Sequence, residues 1–196
     1  MPKLHLESIT GLECLQYSEA LAELRIQVFR EWPYLYHGSI DYEQRYLQKY
    51  AACRNSILVI ALDGERIVGV STGLPMRQAD ADFQAAFNDY EFQLDSIFYL
   101  GESVLLPEYR GQGTGHRFFD LREAQARKCG AKFTAFCAVD RADDDPRRPA
   151  DYQQLDSFWG KRGYSRHPNR KAIFDWREIG QTVDSKHSLS FWIKKL

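Results

Sequence analysis

A mixed α/β fold, built as a three-layer α/β/α arrangement around a central mixed sheet of about seven strands, follows from three observations. Extended and helical patterns run in the order β-α-α-β-β-β-α-β-α-β-β along the 196 residues. In the middle, a strand leads straight into a glycine turn and a helix, and another strand follows; that unit implies a right-handed parallel crossover. The chain is 44% hydrophobic and 14% aromatic, enough for a sizeable core. Its length fits one domain over residues 1–196.

Each element has its own signal. Lys3 to Ile9 alternates apolar and polar residues and reads as a short strand. Thr10-Gly11-Leu12-Glu13 has capping-box spacing and should open a helix carrying Leu21, Leu24 and Val28 on one face. Trp32-Pro33 ends it, because proline disfavours helix in the residue before it. The connection Trp32 to Gly38 is aromatic where a solvent turn should be polar, so it either seals a core edge or lines a ligand site. Ser39 to Cys53 reads as a second helix with Tyr42, Tyr46, Leu47 and Tyr50 on one side. Ser56 to Leu62 and Ile67 to Leu74 pair as strands across the turn Asp63 to Arg66. Gln78 to Asp95 is an acidic connection (Asp80, Asp82, Asp89, Glu91, Asp95) with a short helix around Phe83 to Phe87. Lys132 to Val139 is a fifth strand, and Asp140 to Ala150 reads as solvated surface or a lid. A helix over Asp151 to Arg162 ends at Gly163, and Ala172 to Trp176 and Ser188 to Ile193 are the last strands.

Ile97 to Cys129 organises the rest. The strand ends at Leu106, an elbow spans Pro107 to Tyr109, and Arg110-Gly111-Gln112-Gly113-Thr114-Gly115 opens a helix. Glycines let successive backbone N–H groups converge, and the first N–H groups of a helix lack intrahelical partners. With the helix dipole and Arg110 beside them, these groups suit a phosphate or pyrophosphate. Gly115-His116-Arg117 lacks the Lys-Ser/Thr of a P-loop, and the glycine spacing misses the dinucleotide fingerprint.

The balance of the chain narrows the function further. Net charge is −1, so no polybasic field points to nucleic acid. No signal-peptide pattern opens the chain, and the longest apolar run, Ile57 to Leu62, is too short for a membrane span. Cys14, Cys53, Cys129 and Cys137 are scattered without metal spacing, so no metal is expected and a reduced, cytoplasmic setting is the simplest reading.

Arg110, Gly113 and Gly115 form Arg-x-x-Gly-x-Gly after an apolar strand, which resembles the signature of the GCN5-related N-acetyltransferase (GNAT) superfamily. Phe158-Trp159-Gly160-Lys161-Arg162-Gly163-Tyr164 is similar to that family's second signature region, and the element order matches along essentially the whole chain. The resemblance implies acetyl-coenzyme A as co-substrate and direct acetyl transfer to a primary amine of a small molecule or peptide, with a homodimer as a candidate assembly. It implies cofactor contacts from a strand bulge at Val104, Leu105 and Leu106, from Arg110, Gly111, Gln112, Gly113, Thr114 and Gly115, and from Phe158. The thiol arm would lie between splayed fourth and fifth strands.

Glu102, a carboxylate inside an apolar strand, is the candidate general base; a structural ion pair is the alternative. Glu108 is a weaker second choice. Many relatives protonate the leaving thiolate with a tyrosine where this chain has Trp159, and an indole is not a general acid. Tyr34 and Tyr36, in the aromatic connection, are therefore the candidate acceptor-side and proton-donating residues. Asp140 stands near the family's usual asparagine, and His116 reads as a surface or phosphate-adjacent ring. The rival reading, favoured by Trp159, is a non-catalytic acyl-coenzyme A-binding sensor or regulatory module.

Overall fold

The computed structural model describes residues 4–88 and 91–196; Lys3 of the first expected strand and Asp89 of the acidic connection lie outside them. The strands are β1 (His5–Ile9), β2 (Ile57–Asp63), β3 (Arg66–Pro75), β4 (Ile97–Leu105), β5 (Phe133–Val139), β6 (Ser165–Trp176) and β7 (Ser185–Lys195). They form one mixed seven-stranded sheet in the order β1-β2-β3-β4-β5-β7-β6, with β4 and β5 parallel and every other pair antiparallel. The helices are α1 (Ser18–Phe29), α2 (Ile40–Ala52), α3 (Ala81–Ala85), α4 (Thr114–Lys128) and α5 (Asp156–Lys161). The first three cover one face of the sheet. The α4 and α5 helices cover the other, where Phe119, Phe136, Phe158, Trp159 and Tyr164 pack ring against ring.

Three elements differ from the sequence reading. Thr10 makes no side-chain cap, and Gly11–Tyr17 form 3-10 turns that lead into α1. The last helix is short, because the chain is still turning at Tyr152, whose N–H reaches Pro149 O at 3.1 Å. Its Leu155 is left 49% exposed, so that residue contributes no core face to the helix. The final two strands are longer than their apolar centres, because the β6–β7 hairpin carries polar residues along its exposed side.

A single extra residue in β4 sets up the site. Ser103 faces Ser71 and Leu100 faces Gly73, so Gly101 and Glu102 together stand opposite Thr72 alone. Strict alternation would send Glu102 to the α4 face with Phe98 and Leu100. The extra residue resets the parity, and Glu102 turns to the α1–α2 face instead, where it meets Tyr46. Ser103 now faces α4, and its Oγ accepts from Arg122 Nη2 at 2.7 Å. Only glycine fits before Glu102: a Cβ on Gly101 would stand 2.3 Å from Thr72 Oγ1 and 2.4 Å from the Tyr50 hydroxyl. This corrects the expected bulge at Val104 to Leu106. Val104 and Leu105 pair in register with Val70 and Gly69, and the Leu106 N–H donates to Val68 O at 2.9 Å. The break falls earlier because that is where the strand has a side-chain-free residue.

Arg122 holds the bulge from below. It lies on the apolar stripe of α4, fully buried, and makes no ion pair among the described residues. Its Nη1 donates to Thr72 O (3.2 Å) and Glu102 O (3.1 Å), and its Nε to Phe118 O (3.2 Å). The bulge takes carbonyls out of the ladder, and buried carbonyls need donors. Burial pushes the guanidinium pKa down to about 10, and that desolvation opposes the gain from its hydrogen bonds.

Beyond the bulge the sheet opens. β4 pairs with β5 only at Ile97–Tyr99 against Phe133–Ala135. From there β4 continues along β3 and β5 along β7, leaving a wedge between them. Replacement of Arg122 by alanine leaves a cavity and strips four acceptors of their donor. We expect a stability loss of about 3 kcal/mol or more in urea unfolding. A loss below about 1 kcal/mol would show that the bulge stands without Arg122.

Candidate active site

The glycine turn sits at the end of β4 and the start of α4, beside the open wedge. Gly111 and Gly113 have φ of 75° and 83°, a region that favours glycine, and a Cβ at either would meet nothing within 4 Å. The turn is therefore open on its outer side. Arg117 N–H is the first of the helix to reach back, to Gly113 O at 3.4 Å, so the N–H groups of Gly113 to His116 have no intrahelical acceptor. Phe158 stands over Gly115, 3.6 Å from its Cβ position, and its ring meets the His116 ring edge-on at 4.8 Å. His116 is exposed and takes Arg162 Nη1 at 3.2 Å on its Nδ1. Arg110 folds back, with Nε on Leu105 O at 2.9 Å and Nη1 on Glu31 at 2.8 Å. Glu108 is exposed in the elbow, 3.9 Å from Arg66.

Among the three strand residues expected to contact the cofactor, Val104 and Leu106 are buried in the core. The Leu106 N–H points to β3. By ladder alternation the Leu105 backbone faces the other way, toward the wedge.

On the α1–α2 face a cavity of about 330 Å³ runs from the bulge outward, with Tyr34, Tyr36, Tyr46, Tyr99, Glu102 and Cys137 in its walls. The aromatic connection is thus a wall of the cavity as well as a seal. It is clamped at several points. Leu35 takes φ of 53°, and its O accepts from Ile179 N at 2.7 Å. Arg141 donates to Pro33 O (2.7 Å) and Tyr34 O (3.1 Å), and Trp176 Nε1 donates to Tyr34 O (3.1 Å). Arg141 and Arg147 both meet Glu178, at 2.6 and 2.5 Å. The loop after β5 is solvated surface over most of its length, as expected, but Arg141 and Arg147 fasten it to the cavity wall. Burial pushes the phenols of Tyr34 and Tyr36 well above the usual tyrosine range. Nearby Cys137 raises Tyr34 further, and Glu43 raises Tyr36.

Glu102 is 8% exposed. All of its partners meet one oxygen: Oε2 takes the Tyr46 hydroxyl (2.6 Å), the Thr72 hydroxyl (2.9 Å) and Arg25 Nη1 (2.7 Å). Its Oε1 has no partner among the described residues. The structural ion pair and the free carboxylate oxygen therefore coexist in one side chain. Tyr50 extends the network, its hydroxyl 2.7 Å from that of Tyr46.

Arg25, Glu43 and Tyr46 complete the cluster around Glu102, and the sequence reading had assigned none of them a role. A signal was present. Arg25 follows Leu21 by four residues, and Glu43 precedes Tyr46 and Leu47 by three and four. Each puts a charge on the buried stripe of its helix.

Asp140 is not near the cavity wall. It accepts from Ser188 (2.9 Å), Ser190 (2.7 Å), Arg166 (2.8 Å) and Lys171 (3.1 Å), and so ties β5 to β7 and β6. These donors outweigh its partial burial and hold its carboxyl below the usual range. Trp159 packs into the sheet against Phe136 (5.0 Å) and Trp192 (5.1 Å), away from the cavity. Among the described residues no cluster of His, Cys, Asp or Glu is placed to hold a metal, and no helix is long and apolar enough to cross a membrane.

Residues 20–149 match the model of the acetyltransferase (GNAT) family. No curated protein matches the sequence. Several solved structures share the fold. One is yncA from Salmonella typhimurium with its cofactor acetyl-CoA (TM-score 0.59, 12% identity, 100% of this chain and 95% of that one). A second is the ribosomal-protein-alanine N-acetyltransferase of Brucella melitensis (0.60, 14%, 98% and 100%). A third is the PaiA N-acetyltransferase of Thermoplasma acidophilum in complex with coenzyme A (0.55, 13%, 100% and 100%).

Proposed function

Because the chain belongs to the acetyltransferase (GNAT) family, we propose that it transfers the acetyl group of acetyl-coenzyme A directly to a primary amine of a small molecule or peptide. The observation that carries this reading is the Glu102 carboxylate. It is fixed through one oxygen, is free at the other, and shares a cavity with two phenols at the mouth of the β4–β5 wedge.

The chemistry sets three requirements. The pyrophosphate needs an anion site; the open glycine turn and the N–H groups at the start of α4 support one there, and Arg110 joins it in our reading by exchanging Glu31 for the phosphate. Gln112 and Thr114 flank the two positive-φ glycines, and Phe158 covers the adjoining helix turn. The pantetheine arm needs unpaired strand edge, which the wedge provides beside the Leu105 backbone, with Val104 and Leu106 as its buried wall. The amine must lose a proton, since an alkyl ammonium with a pKa near ~10.4 is neutral in only about one molecule in a thousand at neutral pH.

In our reading Glu102 takes that proton, directly or through a water, once entry of the acceptor opens its Oε1, which is closed to solvent in this structure. The amine nitrogen then bonds to the thioester carbon and the C–S bond breaks. Tyr34 is the phenol placed toward β5 and Cys137, and burial keeps it protonated at neutral pH. We assign it the proton that the leaving thiolate collects. Tyr36, beside Glu43, lines the acceptor side. The sensor reading rests on Trp159 alone, and acetyl-coenzyme A binding without turnover on a broad amine panel would select it.

Three substitutions separate these roles. Gly113→Val strains a positive-φ position and crowds the anion site, so calorimetry should show weaker acetyl-coenzyme A binding with the fold retained. Unchanged affinity would displace the cofactor from this turn. Glu102→Gln should reduce turnover about 10²-fold or more with cofactor affinity nearly constant. Wild-type turnover in that variant would remove Glu102 as the base. For Tyr34→Phe we expect a fall in kcat of about 10-fold or more at constant KM for acetyl-coenzyme A. A kinetically silent variant would leave Tyr34 as a packing residue between Phe29 and Trp176.

A further inference from the structure

The inner end of the cavity holds two carboxylates and one guanidinium. Glu43 is 0% exposed and Glu102 8%, and both meet Arg25 through Oε2, at 2.5 Å on Nε and 2.7 Å on Nη1. Arg25 is itself buried, between the rings of Tyr46 (4.1 Å) and Phe29 (5.0 Å). One positive charge thus serves two negative ones in a low-dielectric setting. Oε1 of Glu43 and Oε1 of Glu102 are both shut off from water and make no well-formed hydrogen bond among the described residues, although the Tyr36 hydroxyl faces Glu43. A buried carboxylate oxygen without a donor is costly, and a buried excess charge more so. The first turn of α2 adds partial positive charge near Glu43, but gives its Oε1 no hydrogen bond.

The two residues line the same cavity, whose walls nearby are aromatic: Phe29, Tyr34, Tyr36 and Tyr99. What is missing is one cation with several N–H donors and a slim, apolar stem. An alkyl ammonium has three donors, and aromatic faces favour it. Arg25 already faces two carboxylates, so a carboxylate on the acceptor would bring a third negative charge to one guanidinium. Arg177 and His37, the other cationic or protonatable residues of the lining, are exposed at the outer wall and share it with Asp80, Asp175 and Asp184.

We infer that Glu43 and Glu102 form a shared ammonium site at the inner end of the cavity, and that the acceptor is an alkyl amine with no carboxylate on the carbon that bears the nitrogen. This inference rests on the acetyltransferase reading and adds Glu43 to it as an acceptor-binding residue. Glu43 holds the ammonium while Glu102 takes its proton, which separates binding charge from the base. The cluster also explains why a carboxylate was placed against the positive partner of another: the pair is completed by substrate rather than by protein.

The probes are pentylamine and norleucine, which differ only by the α-carboxylate. Wild-type protein should acetylate pentylamine with a kcat/KM at least about 100-fold higher, since a carboxylate would be driven against Glu43 and Glu102. Glu43→Gln keeps the shape and removes the charge. It should raise KM for pentylamine about 10-fold or more, leave KM for acetyl-coenzyme A unchanged, and narrow the preference over norleucine. Equal or better use of norleucine by the wild type overturns the inference, and so does an unchanged pentylamine KM in Glu43→Gln. The wild-type comparison decides even where the variant fails to fold. Calorimetry with the same two amines separates this inference from the reading beneath it. Binding of pentylammonium but not norleucine without any turnover rejects the transferase and keeps the ammonium site. Turnover of both amines alike does the reverse.

Discussion

The one extra residue in β4 is the constraint from which the site follows. A strand in strict alternation would bury Glu102 against α4, on the face of Phe98 and Leu100, where a carboxylate has no business. With Gly101 and Glu102 both set opposite Thr72, the carboxylate turns to the opposite face and meets Tyr46, Thr72 and Arg25. The cost is local: carbonyls leave the ladder and need new donors. Arg122 provides them from the helix whose N-terminus is the proposed anion site. In the proposed mechanism one α4 helix therefore serves both ends of the reaction, the pyrophosphate through its first turn and Glu102 through a guanidinium two turns later. Movement of that helix would be felt at both places.

Two kinds of buried arginine do different work here. Arg122 has neutral acceptors only, and burial lowers its pKa to about 10. Arg25 has two carboxylates, and their charges more than offset its desolvation, so its pKa lies well above the usual value. The first is a structural donor set into the sheet. The second is a counter-charge that is short by one, and the shortfall faces a cavity. Outside that cavity the aromatic connection, the loop after β5 and the β6–β7 turn are fastened together by Arg141, Arg147 and Glu178. Those ion pairs sit partly buried at the junction of three segments, so this wall of the cavity is held by charge as well as by the ring contacts of Trp32 and Tyr34.

The order of strands and helices was readable because each element carries its own period, and the glycine turn because such a run between an apolar strand and a helix stands out and suits an anion. The site was readable only in part. Glu102 stood out as a charge in a strand, but its direction depended on a bulge, and a one-residue change of register leaves no periodic trace. Gly101 was the single sign of it. Arg25, Glu43 and Arg122 went unassigned because each lies on a helix stripe that otherwise reads as core. The same rule that predicts those helices treats a lone charge as noise. The short α5 was misjudged for a related reason: Tyr152 and Leu155 have helical spacing with Phe158 and Trp159, but the chain is still in turns there, anchored upstream by Arg141 and Arg147.

If the bulge delivers Glu102 to the point where the wedge meets the cavity, a crystal structure with coenzyme A and N-acetylpentylamine bound together will show it. The sulfur should lie in the wedge just beyond Tyr99 and Ala135, with the amide nitrogen within hydrogen-bond reach of Glu102 Oε1 or one water away. A sulfur seated on the α4 face, or an amide nitrogen separated from Glu102 by the Tyr34 and Tyr36 rings, would contradict it.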